Sequence, residues 1–285
     1  MSDIDDIRAR CSRLGFGCAS YWAKTVFPRQ RAIGLVHDAV ELGITVFDTG
    51  PMYAAGEAER RLGAALGAHR RDPLVIMSKA GEPASAHAPK DFSPAAIEHS
   101  ARASLGRLGI EHLDVLWLHG CPRSEWNDGL RRGLEQLKSL GLARLVGLNT
   151  FDADDIAAAI DEPMFDALMF DINLLRPENA MAAERAAARG KLVFSAAALA
   201  RAPWNRHWWG IRAPSDVWYW LRANAVREKS VRVGEGGAAK PESAAHALTW
   251  VLDQAAVTCA LVNTTRHAHL RENVACMRAQ VRGSD

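Results

Sequence analysis

The strongest constraint on the fold is a repeated alternation. Short apolar runs of strand character occupy residues 13–18, 45–48, 74–79, 113–119, 143–149, 167–173, 192–196 and 258–262. Between them, apolar side chains recur at helical spacing: Ile33, Val36 and Val40, then Ala58, Leu62 and Leu66, then Ile97, Ala101, Leu105 and Leu108. The pattern continues through Leu130, Leu134 and Leu137, Ile156 and Ile160, Leu248, Val251 and Leu252, and Leu270, Val274 and Met277. Boundary residues agree with it. Pro28 and Pro241 open helices, Ser93-Pro94 is a cap followed by proline at the first helical position, Asp152 is a cap, and Gly43, Gly141 and Gly190 end helices. Eight strand signals, nearly all separated by a helix, predict an α/β fold of the (β/α)8 TIM-barrel type, in a single domain over residues 1–285.

An open doubly wound sheet is the competing architecture. It needs a glycine-rich phosphate loop after the first strand, and Gly15-Phe16-Gly17 lacks both the third glycine and the helix start behind it. The rhythm breaks once, at a tryptophan-rich insert, residues 197–240, between the seventh strand and the next helix.

Charge and cysteine content narrow the function classes. The 35 basic and 33 acidic residues leave a net charge of +2 without a basic block, which argues against nucleic acid and anionic membranes and for a small-molecule partner. The five cysteines lack zinc-ligand spacing, so they are expected to be free thiols, and no metal site is expected. The polar, acidic N-terminus does not resemble a signal peptide, and no apolar run approaches membrane-spanning length. A cytoplasmic protein, monomeric by default, is the expectation.

Four titratable residues stand at or just after strand ends: Asp48, Tyr53, Lys79 and His119. In a parallel barrel the C-terminal strand ends converge on one mouth, so residues distant in sequence can share a site. Asp48-Thr49-Gly50 by itself invites comparison with an aspartic protease, but that chemistry needs two such carboxylates.

Around these residues the chain resembles the aldo-keto reductase family. The segment from Phe47 to Tyr53, followed by Gly56-Glu57-Ala58-Glu59, is similar to the family's strand-two signature. Met77-Ser78-Lys79 and Leu113-Asp114 through Leu118-His119 match the strands that supply the catalytic lysine and histidine. Gly147-Leu148-Asn149-Thr150-Phe151 and Arg271-Glu272-Asn273 add to the ordered set. The resemblance implies NADP(H)-dependent interconversion of a carbonyl and an alcohol, with NAD as the other cofactor to consider. It makes Tyr53 the general acid, Lys79 the cation that lowers the tyrosine's pKa, Asp48 the partner of Lys79, and His119 the group that orients the carbonyl. It further implies that Asn149 grips the nicotinamide carboxamide, and that Thr264, Thr265, Arg266, His269 and Asn273 hold the adenosine phosphate and adenine at a helix start.

The chain departs from that pattern at two positions. Met169 stands where a carboxamide-gripping glutamine is usual, and Ala196 stands where an aromatic ring usually stacks on nicotinamide. Trp204, Trp208 and Trp209 in the insert are candidates to replace that ring or to wall the substrate pocket, and Trp22 is a second wall candidate. The altered strands leave two alternatives open. One is the same fold with lyase, isomerase or cyclase chemistry, and the other is a nucleotide-sensing regulatory subunit.

Overall fold

Each barrel strand has two apolar faces, and this decides the layering. The computed structural model describes residues 1–67, 69, 71–82, 89–199, 217 and 243–282. Its strands are β1 (Leu14–Gly17), β2 (Val46–Asp48), β3 (Val75–Ala80), β4 (Leu113–His119), β5 (Ala143–Asn149), β6 (Ala167–Asp171), β7 (Leu192–Ala196) and β8 (Cys259–Val262). They pair in chain order, all parallel, and β8 returns to β1 to close the barrel. Alternate side chains point to opposite faces. Val46, Val75, Met77, Val115, Trp117, Leu145, Met169 and Phe194 therefore fill the inside. Phe47, Ile76, Leu116, Leu118, Val146, Leu148, Leu168 and Phe170 pack outward beneath the helices.

The helices are α1 (Asp3–Arg10), α2 (Ser20–Ala23), α3 (Arg29–Glu41), α4 (Glu57–Leu66), α5 (Pro94–Leu108), α6 (Asp128–Ser139), α7 (Ala153–Asp161), α8 (Asn179–Ala188), α9 (Ala244–Leu252) and α10 (His267–Arg282). Ser93 caps α5 by accepting from Ala96 N, with Pro94 at the first helical position, and Asp152 caps α7. Pro28 precedes α3 as its cap residue, and Ser243 caps α9. Among the described residues no helix is long and apolar enough to cross a membrane.

The interior is packed to the point of needing a missing side chain. Trp117, without exposed surface, spans toward β5, where a Cβ on Gly147 would lie 2.4 Å from its ring and 2.6 Å from the carbonyl oxygen of Ala167. The indole stands edge-on to Phe194 at 5.3 Å between centroids. One large ring and one glycine thus fill a layer that two medium side chains would otherwise share.

The polar, acidic N-terminal segment, which lies outside the strand–helix alternation of the sequence, is helix α1. Ser2 caps it by accepting from Asp5 N at 3.2 Å, and acidic residues in its first turn complement the helix dipole. Only Ile7 is buried, in contact with the inner barrel cluster, so the helix closes the N-terminal end of the barrel. An ionic clasp fixes it. Asp114, wholly buried on β4, accepts from Arg10 and Arg71 at 2.6 Å each and from Ile76 N at 2.8 Å, while Arg144 on β5 reaches back to Asp6 at 2.6 Å.

Candidate active site

Parity along the strands selects which residues reach the mouth. Asp48 follows Val46 by two positions, Lys79 follows Val75 and Met77, and His119 follows Val115 and Trp117, so all three continue an inward-facing series beyond the core. Asn149 and Asp171 do the same on β5 and β6. The register sets His119 opposite Asn149 and Asn149 opposite Met169.

Lys79 is the centre of the group. It is fully buried, and its ammonium donates to Asp48 Oδ1, Asp48 Oδ2 and the Thr49 carbonyl, each at 2.7 Å. Gly50 makes room for it, since a Cβ there would lie 3.3 Å from the Lys79 stem and 2.6 Å from the Met52 sulfur. Burial works against the Lys79 charge, but Asp48 and Tyr53 more than restore it, and its pKa stands above the ordinary value. For Asp48 burial pushes the carboxyl up, and Lys79 pulls it only part of the way back.

Tyr53 stands on the loop after β2 with Lys79 Nζ 5.2 Å from its ring centroid. The backbone that follows is unusual. Ala54 and Ala55 both have φ of +52°, and Gly56 has +79°, a full left-handed turn before α4. Non-glycine residues pay about 1–2 kcal/mol each for this conformation. The turn is held from outside by Arg107, whose side chain would lie 2.6 Å from a Cβ on Gly56 and which is bound to the buried Glu59. Lys79 does act to lower the Tyr53 pKa, as expected. Burial is the larger effect, however, and the net shift is upward. The phenol therefore stays protonated at neutral pH.

His119 is partly open at the mouth. Its Nδ1 is paired with Glu82 Oε1, and its backbone carbonyl accepts from Lys90. Neither Glu82 nor Lys90 is distinguished by the sequence pattern, because both sit between β3 and α5 without spacing or motif to mark them. The Thr49 carbonyl likewise escapes any reading of side chains.

The remaining expected residues divide. Asn149 is buried at the mouth, and its amide nitrogen donates to the Met169 carbonyl at 3.1 Å, which leaves its oxygen to accept. The Met169 side chain itself packs inside the barrel, and Ala196 lies at its rim. Thr264, Thr265 and Asn273 are buried around the start of α10, with Arg266 partly buried and His269 exposed. The Thr264 hydroxyl is committed to the local turn, accepting from Arg266 N at 3.2 Å. Trp22 requires a correction. It has no exposed surface, donates its indole N–H to Ala32 O at 3.2 Å and packs edge-on against Phe16, so its ring belongs to the core between β1 and α3 instead of a substrate wall. Trp204, Trp208 and Trp209 lie outside the described residues. The five cysteines are free, and among the described residues no cluster of three or more His, Cys, Asp or Glu side chains could hold a metal ion.

A tetrad at the mouth of a closed parallel barrel agrees with the family comparison, in which the model of the Aldo/keto reductase family matches residues 13–283. The chain belongs to that family. Its relatives include the uncharacterized oxidoreductase YqkF of Bacillus subtilis, 29% identical over 182 residues, which covers 62% of this chain and 56% of that protein. Another is the NADH-specific methylglyoxal reductase of Escherichia coli, 28% identical over 185 residues, covering 58% and 56%. The chain thus spans little more than half the length of the curated relatives it matches. Among solved structures, an aldo/keto reductase from Klebsiella pneumoniae in complex with NADP and acetate superimposes with a TM-score of 0.68 at 22% identity, covering 94% of this chain and 86% of that one. That likeness establishes the same barrel fold.

Proposed function

We propose that this aldo/keto reductase family member is a cytoplasmic, single-domain, NADP(H)-dependent oxidoreductase that interconverts a small carbonyl compound and an alcohol. The observation that carries the reading is the buried Asp48–Lys79 pair set beneath a protonated Tyr53, with His119 beside it at the barrel mouth. Reduction of a carbonyl builds negative charge on oxygen and consumes a proton there. Tyr53 supplies that proton from its hydroxyl. Lys79 remains an ammonium through Asp48 and so stabilises the phenolate left behind. His119 orients the carbonyl oxygen.

The residues around α10 fit a dinucleotide phosphate: a helix N-terminus, a guanidinium at Arg266, the Thr265 hydroxyl and the Asn273 amide. Asn149 fits the carboxamide end through its free oxygen. When bound, the reduced nicotinamide supplies the hydride that goes to the carbonyl carbon. The NADP named for the Klebsiella structure and the NADH named for the Escherichia coli reductase make both forms worth testing, and Arg266 favours the phosphorylated one. The complete tetrad supports catalysis over the sensor reading, and the oxidoreductase names of the relatives support redox over lyase or isomerase chemistry.

The test is titration with NADPH and NADH, followed by loss of the reduced-cofactor absorbance over a panel of aldehydes, ketones and sugars. Tyr53→Phe should lower turnover by about 10²–10⁴-fold while leaving cofactor affinity nearly unchanged. Failure to bind either nucleotide, or near-normal turnover in Tyr53→Phe, refutes the reading.

A further inference from the structure

Glu82, just after β3, and Lys90, just before α5, both fasten onto His119. Gly81 makes the placement of Glu82 possible. Its φ is +91°, and a Cβ there would lie 2.0 Å from the Phe92 ring, so only glycine lets the chain turn against that ring and carry Glu82 over the mouth. Lys90 Nζ reaches the His119 carbonyl and stands 4.0 Å from Glu82 Oε1. Gly120, with φ of +62°, leaves the space, since a Cβ there would approach Lys90 Nζ to 3.0 Å. Among the described residues, the other charged or titratable groups facing this corner are Asp48 on β2, Tyr53 on the loop after β2 and Lys79 on β3. Asn149, opposite His119 on β5, is uncharged.

Burial pushes the Glu82 carboxyl up, but the hydrogen bond and charge of His119, with Lys90 and Lys79, outweigh it, and the net shift is downward. Glu82 is therefore a carboxylate at neutral pH, and a carboxylate only accepts. The proton in its bond to His119 must then sit on Nδ1. A neutral imidazole has one N–H, so Nε2 is left as an acceptor, which repels a carbonyl oxygen. We propose that Glu82 is a positioning residue: it holds a proton on His119 Nδ1, so that His119 donates to the substrate oxygen through Nε2 only as the imidazolium.

This rests on the carbonyl-reducing function proposed above, and its consequence is a built-in pH dependence of the orienting step. Reduction proceeds well while His119 carries both protons and weakens when the ring loses one, because the proton lost is the one facing the substrate.

The decisive measurement is nitrogen-15 NMR of the imidazole rings in the free protein, with the His119 signals assigned from His119→Gln. The neutral ring should carry its proton on Nδ1 in the wild type and in Glu82→Gln, whose amide oxygen can still accept. In Glu82→Ala the proton should move to Nε2. In steady-state reduction, Glu82→Ala should lose the His119-dependent limb of the pH profile and keep its kcat on the alkaline side, where that of the wild type should fall about tenfold, about 1.4 kcal/mol of barrier, with KM changed little. A neutral wild-type ring protonated on Nε2 overturns the proposal. So does a Glu82→Ala variant with the wild-type tautomer, or with an altered tautomer and an unaltered pH profile. Should the wild type reduce no carbonyl at all, the proposed function fails, while the tautomer measurement still decides whether Glu82 sets the ring.

Discussion

Breaking the Asp48–Lys79 pair from either side should destabilise the barrel with opposite dependence on pH. The ammonium is fully buried and makes all three of its 2.7 Å bonds at this point, two of them to the one carboxylate. Removing one partner of a buried pair costs about 3–5 kcal/mol, because the other charge is left without compensation. Unfolding entropy of about 2.1 cal/mol/K per residue near 60 °C gives roughly 0.6 kcal/mol/K for a chain of this length, so the loss corresponds to a fall in Tm of about 5–8 K. In Lys79→Met the stranded group is Asp48. Burial raises its folded pKa above the unfolded value, the folded state then holds more protons than the unfolded one, and stability recovers as pH falls. In Asp48→Asn the stranded group is the Lys79 ammonium, which burial disfavours, so the folded state holds fewer protons and stability recovers as pH rises. In the wild type the Lys79 pKa is raised, so the pair's contribution is complete below the unfolded lysine value and is lost as pH climbs through the folded one. Thermal melts of the three proteins between pH 5 and pH 9 are the assay. Shifts below about 2 K in both variants, or pH slopes of the same sign, would refute the buried-pair argument.

Two further outcomes follow from other parts of the molecule. Replacing Ala54 or Ala55 by glycine should raise stability by about 0.5–1 kcal/mol each, because relief of the left-handed strain exceeds the entropy that glycine adds to the unfolded chain; a loss of stability in urea titration would show that the turn is unstrained. The α1 clasp should weaken in acid. The Arg144 hydrogen bond lowers the Asp6 pKa against a smaller opposing effect of burial, so its contribution is present above the unfolded carboxylate value and is lost as pH falls through the folded one. Amide protection in α1, taken relative to the intrinsic exchange rate at each pH, should fall over that range in the wild type and fall less in Arg144→Gln.

The barrel was legible in the sequence because strand and helix periods are local properties. The runs at 113–119, 143–149 and 192–196 appear as strands at the residues expected, that at 74–79 is displaced by one residue to Val75–Ala80, and those at 13–18, 45–48, 167–173 and 258–262 are shortened by a residue or two. Helix α1 was not legible. Its one buried residue, Ile7, gives no periodic stripe, and the helix is held by ionic contacts to Asp114 and Arg144 from distant strands. Trp22 misled for a related reason: a position soon after β1 can face either the mouth or the α3 packing layer, and only the carbonyl of Ala32, available to its indole, determines which.

What the sequence determined by itself is the alternation, and through it the parity that turns Asp48, Lys79 and His119 into the barrel. Side-chain direction in a strand has a period of two, so each strand carries that information alone. What only the tertiary structure decided is the electrical state of the group so assembled. Whether Tyr53 is a phenol, whether Lys79 keeps its charge and which nitrogen of His119 bears the proton depend on burial and on Glu82, Thr49 and Lys90, whose side chains or carbonyls come near only when the strand ends and the β3–α5 connection meet in space. Coulombic and desolvation effects act through distance, and distance across the mouth has no counterpart in the order of the residues.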